Sequence, residues 1–308
     1  MSTTKWRDNK TSDINEAVAL LIDDIHDDDN GNVLSRRNWK IEKCFQNNLT
    51  ASFLNTDVEY NLINFSYDKV SNAGLDENIL PQSGFIIVYT TGVGVNYIIN
   101  KKSDAKLVLR KMLSYSGKNE LDNSTFNLNS DFFLWLVNRL YYANNKIDVN
   151  EDELCINAIK GFKGDTEDSQ TKLSASGESV MNVISALSFF LESKQLKNVE
   201  IELSYGSHTK IDVSIKSDVL DVNLSSYIGD FDNNDQNEMK AKLNLLVFLE
   251  IIPLLIQEYQ TDKENEEWNN KCYFDFISDV ADTIAEKIDR IKEALQEKTP
   301  TLVTDSDN

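Results

Sequence analysis

The stretch "LIDDIHDDDNGN", Leu21 to Asn32, sets His26 among five aspartates. An imidazole and carboxylates this close together are the donor types of an oxygen-ligand cation site or of a metal-activated hydrolase. In the register of a calcium loop, Gly31 at the sixth position puts His26 first, Asp28 third, Asn30 fifth and Arg37 twelfth. That register fails at both ends, because the first position wants a carboxylate and the twelfth a bidentate Glu. A hydrolase site would need further ligands from other segments, and the only other histidine is His208. Asp23, Asp27 and Asn30 share a helix face, which leaves a weak site as the minority reading against a solvated helix end.

"GDFDNNDQNE", Gly229 to Glu238, poses the same question. Asp230, Asp232 and Asn234 follow a D-x-D-x-N spacing, yet Asp235 stands where the Gly belongs and Ala241 where the Glu belongs. Asp235 reads better as the N-cap of the next helix. The metal candidates are therefore weak in both places: His26, Asp28 and Asn30 in one, Asp230 and Asp232 in the other. No metal or other cofactor is expected.

"TTGVGVN" joins two strands, so it reads as a hairpin turn and not as a phosphate loop, which needs a helix N-terminus behind it. No G-x-S-x-G elbow frames a nucleophile, and His208 reads as the exposed tip of a hairpin. Asp104-Ala105-Lys106 has nuclease-like spacing but falls in a helix. Catalytic residues stay unassigned.

The last helix carries the pattern that points furthest. Ile277, Ile284 and Ile291 recur every seven residues, as do Ala281, Ile288 and Leu295, giving a two-row seam over about three heptads. A stripe of this kind ordinarily packs on its own domain's sheet. The alternative is self-association or a partner helix, with Ile277, Ile284, Ile288, Ile291 and Leu295 as the interface.

Composition narrows the classes. The 308 residues carry 51 Asp and Glu against 31 Lys and Arg, a net charge of -20, which argues against broad phosphate binding. The basic clusters, "RRNWKIEK" at Arg36 to Lys43 and the group Lys101, Lys102, Lys106, Arg110 and Lys111, are short and read as solvated faces. Three cysteines, Cys44, Cys155 and Cys272, form no CxxC pair and read as reduced, buried thiols. "LNLLVFLEIIPLLI" is shorter than the ~20 residues of a spanning helix and holds Glu250 and Pro253, so no membrane is expected. The polar opening "MSTTKWRDNKTSD" makes cytoplasm the default compartment.

Those residues must be positioned by an alternation of helices and strands. Ile14, Ala17, Val18, Leu21, Ile22 and Ile25 make one helical stripe ending near Asp29, with Ser12 or Asp13 as cap. Period-two segments follow from "NWKIEKCFQ" to "GFIIVYTTGVGVNYIIN", then helices over 103–116 and 130–143 and a strand near "LCINAIKGF". "KGDTEDSQTKLSAS" has almost no apolar residue and marks a linker or exposed loop. Beyond it come a helix over 177–196, three strands ("VEIELSY", "KIDVSIK", "VLDVNLSSY"), and long helices over 235–260 and 273–297, the first kinked at Pro253. Residues 299–308 read as a disordered tail.

The expected fold is α+β: two antiparallel sheets each flanked by helices, in an N-terminal domain over 1–162 and a C-terminal domain over 177–298, with the linker at 163–176 between. Both halves run helix, meander, helix, helix, an order that fits a diverged duplication without a sequence period to support it. The leading functional expectation is a cytosolic non-catalytic protein-interaction subunit of a larger assembly. A metal-dependent hydrolase, such as a nuclease, using scattered carboxylates is the alternative. An acidic nucleic-acid mimic on a basic partner stands third.

Overall fold

Apolar residues at helical spacing in "INEAVALLI" form α1 (Ile14–Ile22), and the Asp13 carboxylate caps it by accepting from the Asn15 N–H at 2.7 Å. The computed structural model describes residues 2–23, 25, 27, 34–71, 78–117, 119–149, 152–166, 172–176 and 193–297. In it α1 stops at Ile22, earlier than the expected end near Asp29. The negative end of the helix dipole already meets Asp23 there, and continuing would add acidic residues against the terminal carbonyls.

The period-two segments form strands, but not the simple meander expected: the first pairs with the third and not the second, and two strands the pattern did not show, at 4–8 and 121–123, join the same sheet. β1 (Thr4–Asp8), β2 (Leu34–Lys43), β3 (Leu49–Phe53), β4 (Thr56–Ser71), β5 (Asn78–Thr90), β6 (Asn96–Ile99) and β7 (Leu121–Asn123) form a seven-stranded antiparallel sheet. Its order is β2-β4-β5-β6-β1-β7, with β3 also on β4. The turn between β5 and β6 needs positive φ, supplied by Gly92 at 87° and Gly94 at 72°. A second antiparallel sheet has β8 (Lys146–Val149), β9 (Asp152–Thr166), β10 (Lys172–Ser176), β11 (Ser193–Tyr205), β12 (His208–Lys216) and β13 (Val219–Val222). Its order is β10-β9-β11-β12-β13, with β8 on β9. The fold is therefore α+β.

The chain divides by contact into two units that interleave in sequence. One comprises Met1–Leu128, Lys146–Cys155 and Glu202–Gln257; the other comprises Asn129–Asn145, Ile156–Ile201 and Glu258–Asn308. The expected linker is occupied on both sides of 167–171 by β9 and β10, whose Phe162 and Ala175 are register partners. Of the expected helix over 177–196, residues 177–192 lie outside the described residues, and 193–196 belong to β11. Strand alternation starts earlier than "VEIELSY" suggests, since Leu196 is already buried. The tail over 299–308 also lies outside the described residues.

In the first unit, α1 and α2 (Ala105–Met112) cover one face of the seven-stranded sheet. Ala17, Val18, Leu21, Val108 and Leu109 pack there with Ile63, Phe65, Ile86, Val88 and Ile99. The opposite face receives α4 (Gln236–Leu246), whose Lys240 ammonium lies 5.5 Å from the Phe85 ring centroid. Asp235 caps α4 by accepting from the N–H groups of Asn237 and Glu238 at 2.8 and 3.1 Å. The expected kink takes the form of a π-helical segment, Val247–Ile251, between α4 and α5 (Ile252–Glu264). Pro253 explains it: its ring removes the donor that would bond the Leu249 carbonyl, and the widened turn relieves the crowding. The remaining helices, α3 (Ser130–Tyr141) and α6 (Asn270–Glu297), belong to the second unit.

Candidate interaction surface

Polar contacts between its helices tie the second unit together, with one buried ion pair at their centre. The Arg139 guanidinium on α3 donates to Asp262 at 2.9 Å and to Glu258 at 2.8 Å, and the Trp135 indole also donates to Asp262, at 2.7 Å. Two turns earlier, Asp131 accepts from the Tyr259 hydroxyl, from the Lys263 ammonium at 3.2 Å and from the Trp268 indole at 3.1 Å. These bonds fix α5 and the following turn on α3, and the turn delivers α6.

α6 meets α3 through one stripe. Phe276 and Val280 are buried, and the rings of Tyr141 and Tyr142 pack on Phe276. The Tyr141 hydroxyl bonds the Asp279 carbonyl at 3.0 Å and the Thr283 hydroxyl at 2.7 Å. Tyr142 donates to the Asp279 carboxylate at 2.5 Å. Phe276, Val280 and Thr283 follow helical spacing, and they are the residues that the packing uses.

The seam runs one residue further round, about 100° from that stripe. Ile277 and Ile284 are half-buried, whereas Ile288 is 42% exposed, Ile291 51% and Leu295 62%. Phe274, one heptad before Ala281, is 71% exposed and extends the same face. Sequence reasoning passed over it. Its spacing of seven from Ala281 was the signal that finds it. On the far side lie Asp275, Asp282, Glu286, Asp289 and Glu293, all exposed. The helix thus carries three longitudinal faces: one packed on α3, one apolar and mostly open, one acidic.

The other candidates are placed differently. His26, Asp28 and Asn30 lie outside the described residues. Asp230 and Asp232 lie in a short 3-10 turn, Asp230–Asn233. The Ser207 hydroxyl donates to Asp230 at 2.5 Å, and the Gly229 N–H donates to Asp232 at 3.0 Å, so both carboxylates shape the turn. Among the described residues, no group of three or more His, Cys, Asp or Glu side chains is placed to hold a metal ion. His208 is not an exposed hairpin tip. It is 9% exposed, its Nδ1 is 2.6 Å from the Tyr227 hydroxyl, and the Phe231 ring stands 4.6 Å away. Burial pushes its pKa down, with Asp230 and Asp152 acting in the opposite sense.

The two basic clusters, far apart in sequence, converge on Tyr67. Arg36 and Lys101 lie 5.9 and 5.7 Å from its ring centroid, and Trp39 stacks on it at 4.5 Å. Tyr67 is 2% exposed and donates to Asp104 at 3.0 Å, so these cations and a carboxylate surround a buried ring. The three cysteines are unpaired and half-buried, a correction to the buried expectation. Burial raises the pKa of Cys44 and Cys155, which lowers their thiolate fraction. Among the described residues no helix is long and apolar enough to cross a membrane. No protein-family model matches the chain, and no curated protein matches its sequence.

Proposed function

We propose that the chain is a non-catalytic protein-interaction subunit of a larger cytoplasmic assembly, with the seam of α6 as its docking face. The observation that carries this reading is the second apolar stripe of α6. The helix already packs Phe276 on the α3 tyrosines and buries Val280 one turn on, yet it keeps Ile288, Ile291 and Leu295 substantially exposed. Contiguous apolar side chains left in water cost free energy that a partner surface recovers, and a regular a/d spacing is the pattern another helix reads.

The test compares wild type with Ile288→Glu/Ile291→Glu by native size separation of extracts from the source cell. Wild type is expected to run in a complex larger than the monomer and the variant as the monomer, both with the same circular dichroism. A wild-type chain that runs as a monomer, or a variant that keeps its place in the complex, contradicts the proposal.

A further inference from the structure

The seam has two kinds of helical occupant, a second copy of α6 or a different helix, and the residues along its margins separate them. In heptad terms Ile277, Ile284 and Ile291 occupy d, and Phe274, Ala281, Ile288 and Leu295 occupy a. The flanking e positions are then Lys271, Ser278, Ala285 and Lys292, and the g positions are Tyr273, Val280, Lys287 and Ala294. Every charged residue beside the seam is therefore a lysine. The acids fall at b and f, as Asp275, Asp282 and Asp289 on one row and Asp279, Glu286 and Glu293 on the other, turned away from the seam.

This arrangement works against self-pairing. In a parallel pair the g position of one heptad faces e of the next on the partner, which sets Lys287 against a second Lys292, twice by symmetry. In an antiparallel pair e faces e and g faces g, and again only lysines are there to meet. Neither orientation supplies an opposite-charge pair, and like charges at these positions select against a partner. A helix with carboxylates at its own e and g positions meets the lysines instead, in exchange for the contacts that Lys287 and Lys292 make within the chain. The chain's net charge of -20 opposes an acidic partner only at long range, since salt screens beyond about 8 Å. Lys292 now pairs with Asp289 at 2.7 Å, both side chains 65% exposed, and so solvated a pair yields readily to a new one.

We infer that the seam takes an amphipathic helix of a different protein, one with Leu- or Ile-type residues at a and d flanked by Glu or Asp. This rests on the reading of the seam as a docking face. The geometry then divides the work: the apolar rows give affinity and the lysine margins choose the partner.

Two synthetic three-heptad peptides test it on the full chain, both with Ile and Leu at a and d, one with Glu at every e and g and the other with Lys. Fluorescence anisotropy is expected to show the Glu peptide binding about tenfold or more tighter than the Lys peptide at physiological salt. Lys287→Glu/Lys292→Glu should invert that order. Equal affinities, or a preference for the Lys peptide, overturn the inference while leaving the seam a docking face. Sedimentation showing a wild-type dimer that Ile284→Glu/Ile291→Glu dissolves also overturns it in favour of a second copy. If neither peptide binds and the chain stays monomeric, the docking reading itself falls.

Discussion

Arg139 and Asp262 meet at 2.9 Å with side chains only 5% and 10% exposed, and the same carboxylate accepts from the Trp135 indole N–H at 2.7 Å. Asp262 is thus the most buried of the carboxylates that tie α5 to α3. Asp262→Ala would leave a guanidinium buried without that partner, a loss of about 3–5 kcal/mol. Glu258, the other partner of Arg139, is 28% exposed, so Glu258→Ala should cost no more than about 1 kcal/mol. Urea unfolding of the two variants checks the contrast. Equal costs would show that Asp262 is not the anchor.

Tyr205 donates to Glu250 at 2.6 Å, and both are buried, at 7% and 8% exposure. Burial first, and then Glu250, raises the Tyr205 pKa, so the phenol stays protonated as donor. Tyr205→Phe should cost about 2 kcal/mol, since it leaves a buried carboxylate short of its partner. Glu250→Gln keeps an acceptor for the phenol and should cost less. Denaturant midpoints for the pair decide it, and a harmless Tyr205→Phe would contradict the assignment.

His208 predicts an acid dependence. Its folded pKa lies below the ordinary value of about 6.5, so the unfolded chain binds the proton more readily. The stability from this group is complete above about pH 6.5 and is lost as the pH falls below it. Urea midpoints between about pH 5 and pH 7 should fall with acid in wild type and fall less in His208→Gln. An identical slope in both would remove His208 from the account.

The β strands were the most legible part of the sequence: alternation in "VEIELSY" coincides with one-sided burial, and the unbroken apolar run "FIIVY" with burial on both faces. β1 was not legible. Of its inward residues Thr4, Trp6 and Asp8 two are polar, and only the fold reveals that Thr4 donates to the Lys101 carbonyl while Tyr97 and Tyr115 donate to Asp8. The seam of α6 was visible as a pattern, but which stripe would be buried was not. The row richer in isoleucine faces outward, and the poorer row, Phe276, Val280 and Thr283, is packed because Tyr141 and Tyr142 add rings and hydrogen bonds to it. His208 misled for a similar reason: Tyr227 and Phe231, which enclose it, lie about twenty residues on, beyond the reach of local periodicity.

The acidic turn at Asp230 should be indifferent to cations, because its carboxylates are already held by Ser207 and Gly229. Millimolar calcium, magnesium or EDTA should leave the melting temperature of the full chain unchanged, since an ion that does not bind the folded state cannot stabilise it. A rise of many degrees with either ion would restore the metal-site reading, and Asp230→Ala and Asp28→Ala would then locate it.

The central claim is that the seam of α6 contributes little to the chain's own packing and is kept for another helix. Thermal unfolding of purified Ile284→Glu/Ile291→Glu, followed by circular dichroism, tests it most directly. The structure leaves Ile284 half-buried and Ile291 51% exposed, so new carboxylates there stay within reach of water. The account predicts one cooperative transition within about 2–4 °C of wild type, the shift of roughly 1 kcal/mol in a chain of this size. If the seam were an internal contact, two unpartnered buried carboxylates would cost several kcal/mol each. Loss of helical signal with a collapse of the transition would then contradict the account.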